Sequence, residues 1–139
     1  MKYIVSTISA VFLTMFLAGA APGAEQPVKR VVAVIDADGV QRVEMQAGGY
    51  FFDPGHITVK KDVPVELVVK REAGMTPHDI ELKAPEAGID FSVDITTEPK
   101  VIKFTPTKAG TYEFTCEKRF LFFKSHKDRG MHGVLVVVE

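Results

Sequence analysis

Two segments of the chain alternate polar and apolar residues one by one, and they fix where the rest of the reading starts. In Thr111-Tyr112-Glu113-Phe114-Thr115-Cys116 the polar side chains fall on one face of a strand, so Tyr112, Phe114 and Cys116 share the other, the core face. In His78-Asp79-Ile80-Glu81-Leu82-Lys83 the same rule assigns His78, Ile80 and Leu82 to the apolar face. Cys116 then ends one strand facing inward, and His78 begins another. If the two strands run antiparallel, the start of one meets the end of the other. His78 and Cys116 are expected to meet at one pole of the domain.

The remaining apolar segments are short, rich in β-branched and aromatic residues, and separated by turn formers. Strands are predicted at Val31 to Ile35, Val40 to Gln46, Ile57 to Val59, Val65 to Lys70, Lys100 to Thr105 and Val134 to Val138, beside the two above. Turn signals stand at Asp36-Ala37-Asp38-Gly39, Gly48-Gly49, Asp53-Pro54-Gly55, Lys61-Asp62 and Lys108-Ala109-Gly110. No segment sustains a 3.6-residue apolar period, and Glu86 to Ile95 is too irregular to assign. The expected class is all-β, a β-sandwich.

The N-terminus follows a different pattern. After Lys2, Tyr3 to Leu17 is an apolar stretch softened only by Ser6, Thr7, Ser9 and Thr14, and Ala18-Gly19-Ala20 supplies small residues at cleavage spacing. Residues 1–20 are predicted to be a signal peptide, 21–27 a flexible lead-in and 28–139 the folded domain. The rival is a retained membrane anchor, but small residues and Pro22 follow the apolar stretch instead of a charged stop. Export implies a periplasmic or secreted protein with no stable membrane insertion once the signal is removed.

Composition narrows the partners. A chain of 139 residues, 46% apolar, suffices for one packed core and not for two domains. A formal charge of −1 and the absence of a long basic run exclude a nucleic-acid footprint. The single cysteine, Cys116, excludes an internal disulfide and a four-thiolate metal site. Alone, Cys116 would read as a small buried hydrophobe, His78 and His126 as capping or solvated histidines, and Met131 as core filler.

Their arrangement changes that reading. After Cys116 comes a loop carrying His126, Met131 and His132, and then the Val134 to Val138 strand. One thiolate and two imidazoles in a trigonal plane, with a weak thioether above it, form the donor set of a copper electron-transfer site. Cys116, His126, Met131 and the distant His78 supply that set. His132, next to Met131, is the alternative fourth ligand and would make the site more tetragonal. His56, after a Pro-Gly turn, is expected at the surface and off the ligand list.

Four stretches resemble the cupredoxins, the small blue-copper β-sandwich family: Phe52-Asp53-Pro54-Gly55-His56-Ile57-Thr58-Val59, Thr76-Pro77-His78-Asp79, Gly110 to Cys116, and His126 to Val138. The resemblance covers roughly residues 48 to 139 and implies a Greek-key sandwich. By position it implies one type 1-like copper ion held by His78, Cys116, His126 and Met131. Two features depart from the family pattern. Nine residues separate Cys116 from His126, more than in most small members, and Asp79 stands where the family often has Asn.

The expected function is a one-electron carrier, a monomer without a substrate, working between redox partners. Copper oxidases and nitrite reductases need a second copper centre with more histidines, and this chain has four in total. The alternatives are a module that stores or delivers copper, or a metal-free interaction domain. Phe120-Leu121-Phe122-Phe123 cannot bury every side chain as helix or strand, so the loop either lids the sandwich end or faces a partner. Lys118, Arg119, Lys124, Lys127 and Arg129 outnumber Glu117 and Asp128 around it. Such a rim favours an acidic redox partner docking near Phe120 to Phe123.

Overall fold

The computed structural model describes residues 27–119 and 121–139. The expected signal peptide, and the lead-in up to residue 26, lie outside the described residues. Eleven strands follow: β1 (Arg30–Val32), β2 (Val34–Ile35), β3 (Gln41–Gly48), β4 (Phe51–Asp53), β5 (His56–Lys60), β6 (Val65–Arg71), β7 (His78–Ala84), β8 (Ile89–Ile95), β9 (Lys100–Phe104), β10 (Gly110–Thr115) and β11 (His132–Val138). The class is all-β, a two-sheet sandwich with 3-10 turns only at Pro85–Ala87 and Lys127–Arg129 among the described residues.

One sheet has the order β1-β5-β11-β10-β7-β8, and the other β2-β3-β6-β9 with β4 beside β3. Parallel pairs β5 with β11 and β3 with β6 join strands distant in sequence, while β10 lies antiparallel to both β11 and β7. Alternation decides the inner faces. Val43, Met45 and Ala47 of β3 and Val65, Leu67 and Val69 of β6 meet Ile57, Val59, Ile80, Leu82, Leu135 and Val137 of the opposite sheet. The pole away from Cys116 is braced by the fully buried Gln41, whose amide donates to the Lys60 and Val63 carbonyls and accepts the Lys60 N–H. With all these polar atoms paired, its burial costs little.

The segment from residue 86 to 95, left unassigned from the sequence, resolves into the 3-10 turn and strand β8. Ile89, Phe91, Val93 and Ile95 alternate with polar residues, and β8 pairs with β7 in register from His78 opposite Ile95 to Ala84 opposite Ile89. β8 is the neighbour that covers the ligand-bearing start of β7.

Candidate metal centre

The register of β7 against β10 brings His78 and Cys116 together. Thr115 lies opposite Glu81, so the end of β10 runs toward the start of β7. His78 is the first residue of β7, and Cys116 follows the last residue of β10. His126 caps the 3-10 turn at Lys127–Arg129, and Met131 immediately precedes β11. Cys116 and Met131 are fully buried, and His78 and His126 are each 5% exposed.

Both imidazoles present Nδ1 to the sulfur. His126 Nδ1 lies 3.3 Å from Cys116 Sγ and His78 Nδ1 lies 4.0 Å from it, with all three donor atoms within 4.8 Å of one another. Metal–sulfur and metal–nitrogen bonds of about 2.3 and 2.0–2.1 Å at trigonal angles separate the donors by about 3.8 Å. The observed distances bracket that value. A soft sulfur beside two imidazoles is the chemistry of copper and, secondarily, zinc.

Backbone hydrogen bonds hold the cluster. The Cys116 N–H donates to the Met131 carbonyl (3.1 Å), the Lys127 N–H to the Cys116 carbonyl (2.9 Å) and the Met131 N–H to the His126 carbonyl (2.9 Å). The His126 N–H donates to the Lys118 carbonyl at 2.8 Å. The Ser125 hydroxyl donates to Asp128 Oδ2 at 2.8 Å and accepts the Asp128 N–H at 3.1 Å, closing the turn that carries His126. These bonds explain how the long interval from Cys116 to His126 is accommodated. Its two ends are pinned together, and residues 121–124 between them are exposed.

Asp79, the departure from the usual Asn, performs two bonds here. Its backbone N–H donates to Cys116 Sγ at 3.4 Å, and its Oδ1 accepts the Glu117 N–H at 2.8 Å. Lys118 stands behind it, with Nζ 3.9 Å from Asp79 Oδ2 and 2.6 Å from Asp94 Oδ1. Hydrogen bonding to Asp94 raises the Lys118 pKa above the ordinary lysine value, so its charge is permanent at physiological pH.

Burial sets the protonation states. It pushes the Cys116 thiol up to about 11, against the opposing pull of the Asp79 and Lys118 backbone N–H groups. It also lowers His78, helped by the charges of His126 and Arg71, and lowers His126, helped by Arg129. At neutral pH the imidazoles are therefore unprotonated and ready to ligate, while the thiol must give up its proton when a metal arrives.

The neighbours of the cluster sort the other candidates. His132 points away: its Nδ1 is 3.3 Å from Glu113 Oε1, and its side chain is half exposed on the outer face of β11. The alternation that buries Gly133, Leu135 and Val137 turns His132 outward, so the alternative fourth donor lies outside the cluster. His56 is half-buried, not at the surface as expected, because β5 is flanked by both β1 and β11. It too lies outside the cluster. Leu121, Phe122 and Phe123 are exposed, Phe122 completely, so this part of the loop does not lid the sandwich end.

The sequence reading missed Tyr50. It sits in the left-handed backbone region (φ 65°) after Gly49, which no side-chain pattern signals. Its ring meets His126 edge to face at 5.0 Å, and the Arg129 guanidinium covers it at 4.9 Å. Tyr50, His126 and Arg129 help line an open groove of about 420 Å³ together with Met75, Arg119, Phe123 and Lys124.

The family model described as "Cupredoxin-like domain" matches residues 7–137. No curated protein sequence matches the chain. Among solved structures, the metal-binding domain of the Streptococcus pneumoniae Cu(I)-exporting P-type ATPase CopA, determined with Cu(I), is 28% identical. It superposes with a TM-score of 0.60 over 81% of this chain and 99% of that one. A reduced auracyanin from the photosynthetic bacterium Roseiflexus castenholzii, 19% identical, gives a TM-score of 0.56 over 70% of this chain and 97% of its own, and so shares the fold. The matched span covers nearly the whole chain, and with the two-sheet sandwich it shows that this protein belongs to the cupredoxin-like domain family.

Proposed function

We propose that residues 28–139 form an exported mononuclear copper domain, residues 1–20 being its signal peptide, and that it carries single electrons between redox partners. In this reading His78, Cys116, His126 and Met131 would hold the copper ion. The observation that carries it is the Cys116 sulfur standing 3.3 and 4.0 Å from two imidazole Nδ1 atoms in a buried pocket. Bound copper supplies an exchangeable electron through the Cu(II)/Cu(I) couple. The chain supplies the rest: a cage fixed by backbone bonds, neutral imidazoles, and burial that excludes water from the sulfur.

The groove beside His126 supports a docking role. Met75 and Phe123 give it an apolar lining, next in sequence to the exposed Leu121 and Phe122, and Arg119, Lys124 and Arg129 a cationic one. An acidic redox partner fits both features, and its association should slow as salt rises.

A second reading, copper storage or delivery, is favoured by the likeness to the metal-binding domain of a Cu(I) exporter. One preparation tests both. Protein given Cu(II) should show an intense visible thiolate-to-copper charge-transfer band, and Cys116→Ser should lose it. A fast, reversible one-electron wave supports the carrier. Ready loss of Cu(I) to a chelator without such a wave supports delivery, and a colourless wild type refutes the blue-copper assignment.

A further inference from the structure

A carboxylate stands next to the cysteine whose sulfur must become anionic to bind metal. Asp79 is joined to the ligand segment from two sides, through its N–H to Cys116 Sγ and through the Glu117 N–H to its Oδ1. Its side chain is only 13% exposed, so water screens it poorly. A negative charge there destabilises a second one on sulfur and stabilises positive charge on a metal bound to that sulfur.

Lys118 answers that charge from the ligand loop. Its ammonium lies between Asp79 Oδ2 and Asp94 Oδ1. The two carboxylates are neighbours by construction, because Asp79 of β7 is paired with Asp94 of β8 in the sheet register. Asp94 is the exposed end of this chain of charges and Asp79 the shielded end, with Lys118 intermediate. The main chain of Lys118 also serves the site, accepting the His126 N–H. One residue thus binds a ligand segment through its backbone and compensates a neighbouring charge through its side chain.

We propose that Lys118, held by Asp79 and Asp94, sets the reduction potential of the bound metal by offsetting the Asp79 carboxylate. This rests on the copper reading above. The oxidised centre carries one more positive charge than the reduced one, so the ammonium favours the reduced form and the carboxylate the oxidised form. The Lys118 ammonium acts in this account on Asp79 and Asp94 and not on a ligand side chain. It is a positioning residue that acts through Asp79 and through its field.

The test is redox titration of copper-loaded protein, with an external mediator supplying the one electron. Lys118→Gln should shift the Cu(II)/Cu(I) equilibrium about tenfold toward the oxidised form, which is about 59 mV lower for one electron. Asp79→Asn retains the backbone N–H donor and the Oδ1 acceptor while removing the charge, and should shift the potential the opposite way. Lys118→Arg should restore the wild-type value, and Asp79→Asn combined with Lys118→Gln should fall between the singles. A Lys118→Gln potential equal to or above wild type overturns the proposal.

Apoprotein unfolding adds a metal-free readout. A double-mutant cycle between Lys118→Gln and Asp94→Asn should show coupling. Coupling accompanied by an unchanged potential would give Lys118 a structural role only and overturn its assignment to the potential. A wild type that takes up no copper overturns both this inference and the copper reading, whereas a blue wild type with an insensitive potential overturns this inference alone.

Discussion

Gly133 is a point of close packing in the strand pair carrying the site. It lies opposite Phe114 in the β10–β11 register, two residues past Met131, while Phe114 lies two residues before Cys116. A Cβ added at Gly133 would meet the Phe114 ring at 2.3 Å and the Gly55 carbonyl at 2.7 Å. Carbon atoms pack best at about 3.5–4.0 Å, so Gly133→Ala demands a displacement of more than roughly 1 Å. Phe114 cannot yield readily, being buried at 2% exposure and set edge-on against Phe52 at 5.3 Å.

Overpacking of this kind costs about 1–3 kcal/mol, and contact with both a ring and a backbone carbonyl points to the upper end. For a domain of this size the melting temperature should fall by roughly 10 °C. Thermal and denaturant unfolding of the apoprotein measure the loss, and Phe114→Leu provides the internal check. Leucine removes the ring carbons that the new methyl would strike, so the double variant should lose at least about 1 kcal/mol less than the sum of the singles. A Gly133→Ala protein within about 0.5 kcal/mol of wild type, or strictly additive variants, would refute the packing argument.

Further expectations concern the site. Met131→Leu conserves volume and should cost under about 1.5 kcal/mol while keeping the colour and shifting the potential. His132→Ala should change neither, and the opposite pattern in visible spectra and voltammetry would make His132 the ligand in place of Met131. Tyr50→Gly should remove about 1 kcal/mol of ring packing from His126 and hasten copper loss to a chelator roughly fivefold, whereas Tyr50→Phe should not. Equal rates for the two variants would rule out a shielding role. The folded-state pKa values of His78 and His126 are lowered, so the unfolded chain takes up protons first as pH falls through about 6.5. Apoprotein stability should therefore drop between pH 7.5 and 5.5, by at most about 1.4 kcal/mol per pH unit for each histidine. It stops dropping on their account once the folded-state values are passed. Equilibrium unfolding should show a shallower slope for His78→Gln, and an unaltered slope would contradict the burial of that imidazole.

The parts of this protein legible in the sequence are those written in local alternation. His78 and Cys116 could be assigned to inward faces at strand ends because β7 and β10 alternate strictly, and the pole where they meet followed from antiparallel pairing. β8 carries the same alternation from Ile89 to Ile95, but the Pro85-Glu86-Ala87-Gly88 turn before it blurs the period in any window that spans both. β4 is three residues long and exists through its pairing with β3, so no periodicity could mark it. The outward turn of His132 was written in the β11 alternation, while its proximity to Met131 in sequence suggested a competing ligand. Tyr50, Lys118 and Asp94 could not be found locally. Their roles depend on a positive φ, a loop return and a cross-strand register, each fixed only when distant segments pack.

Backbone hydrogen bonds by themselves hold the ligand-bearing segments in order. The ligand-bearing loop is closed by backbone bonds from residues 116, 126, 127 and 131, none of which uses a donor atom of the cluster. The imidazole nitrogens stand at the donor-to-donor spacing from the sulfur that a shared metal needs, and burial lowers their pKa values so that they stay neutral. Loading then costs the cluster chiefly the thiol proton, held tightly because the same burial disfavours the thiolate. A metal held there would be surrounded by donors that the β7 strand and the loop's backbone hydrogen bonds position. The exposed groove beside His126 carries the opposite character, with its apolar side chains and unburied cations left to the surface. Backbone hydrogen bonds thus fix the donors, while the face proposed to meet a partner carries exposed side chains.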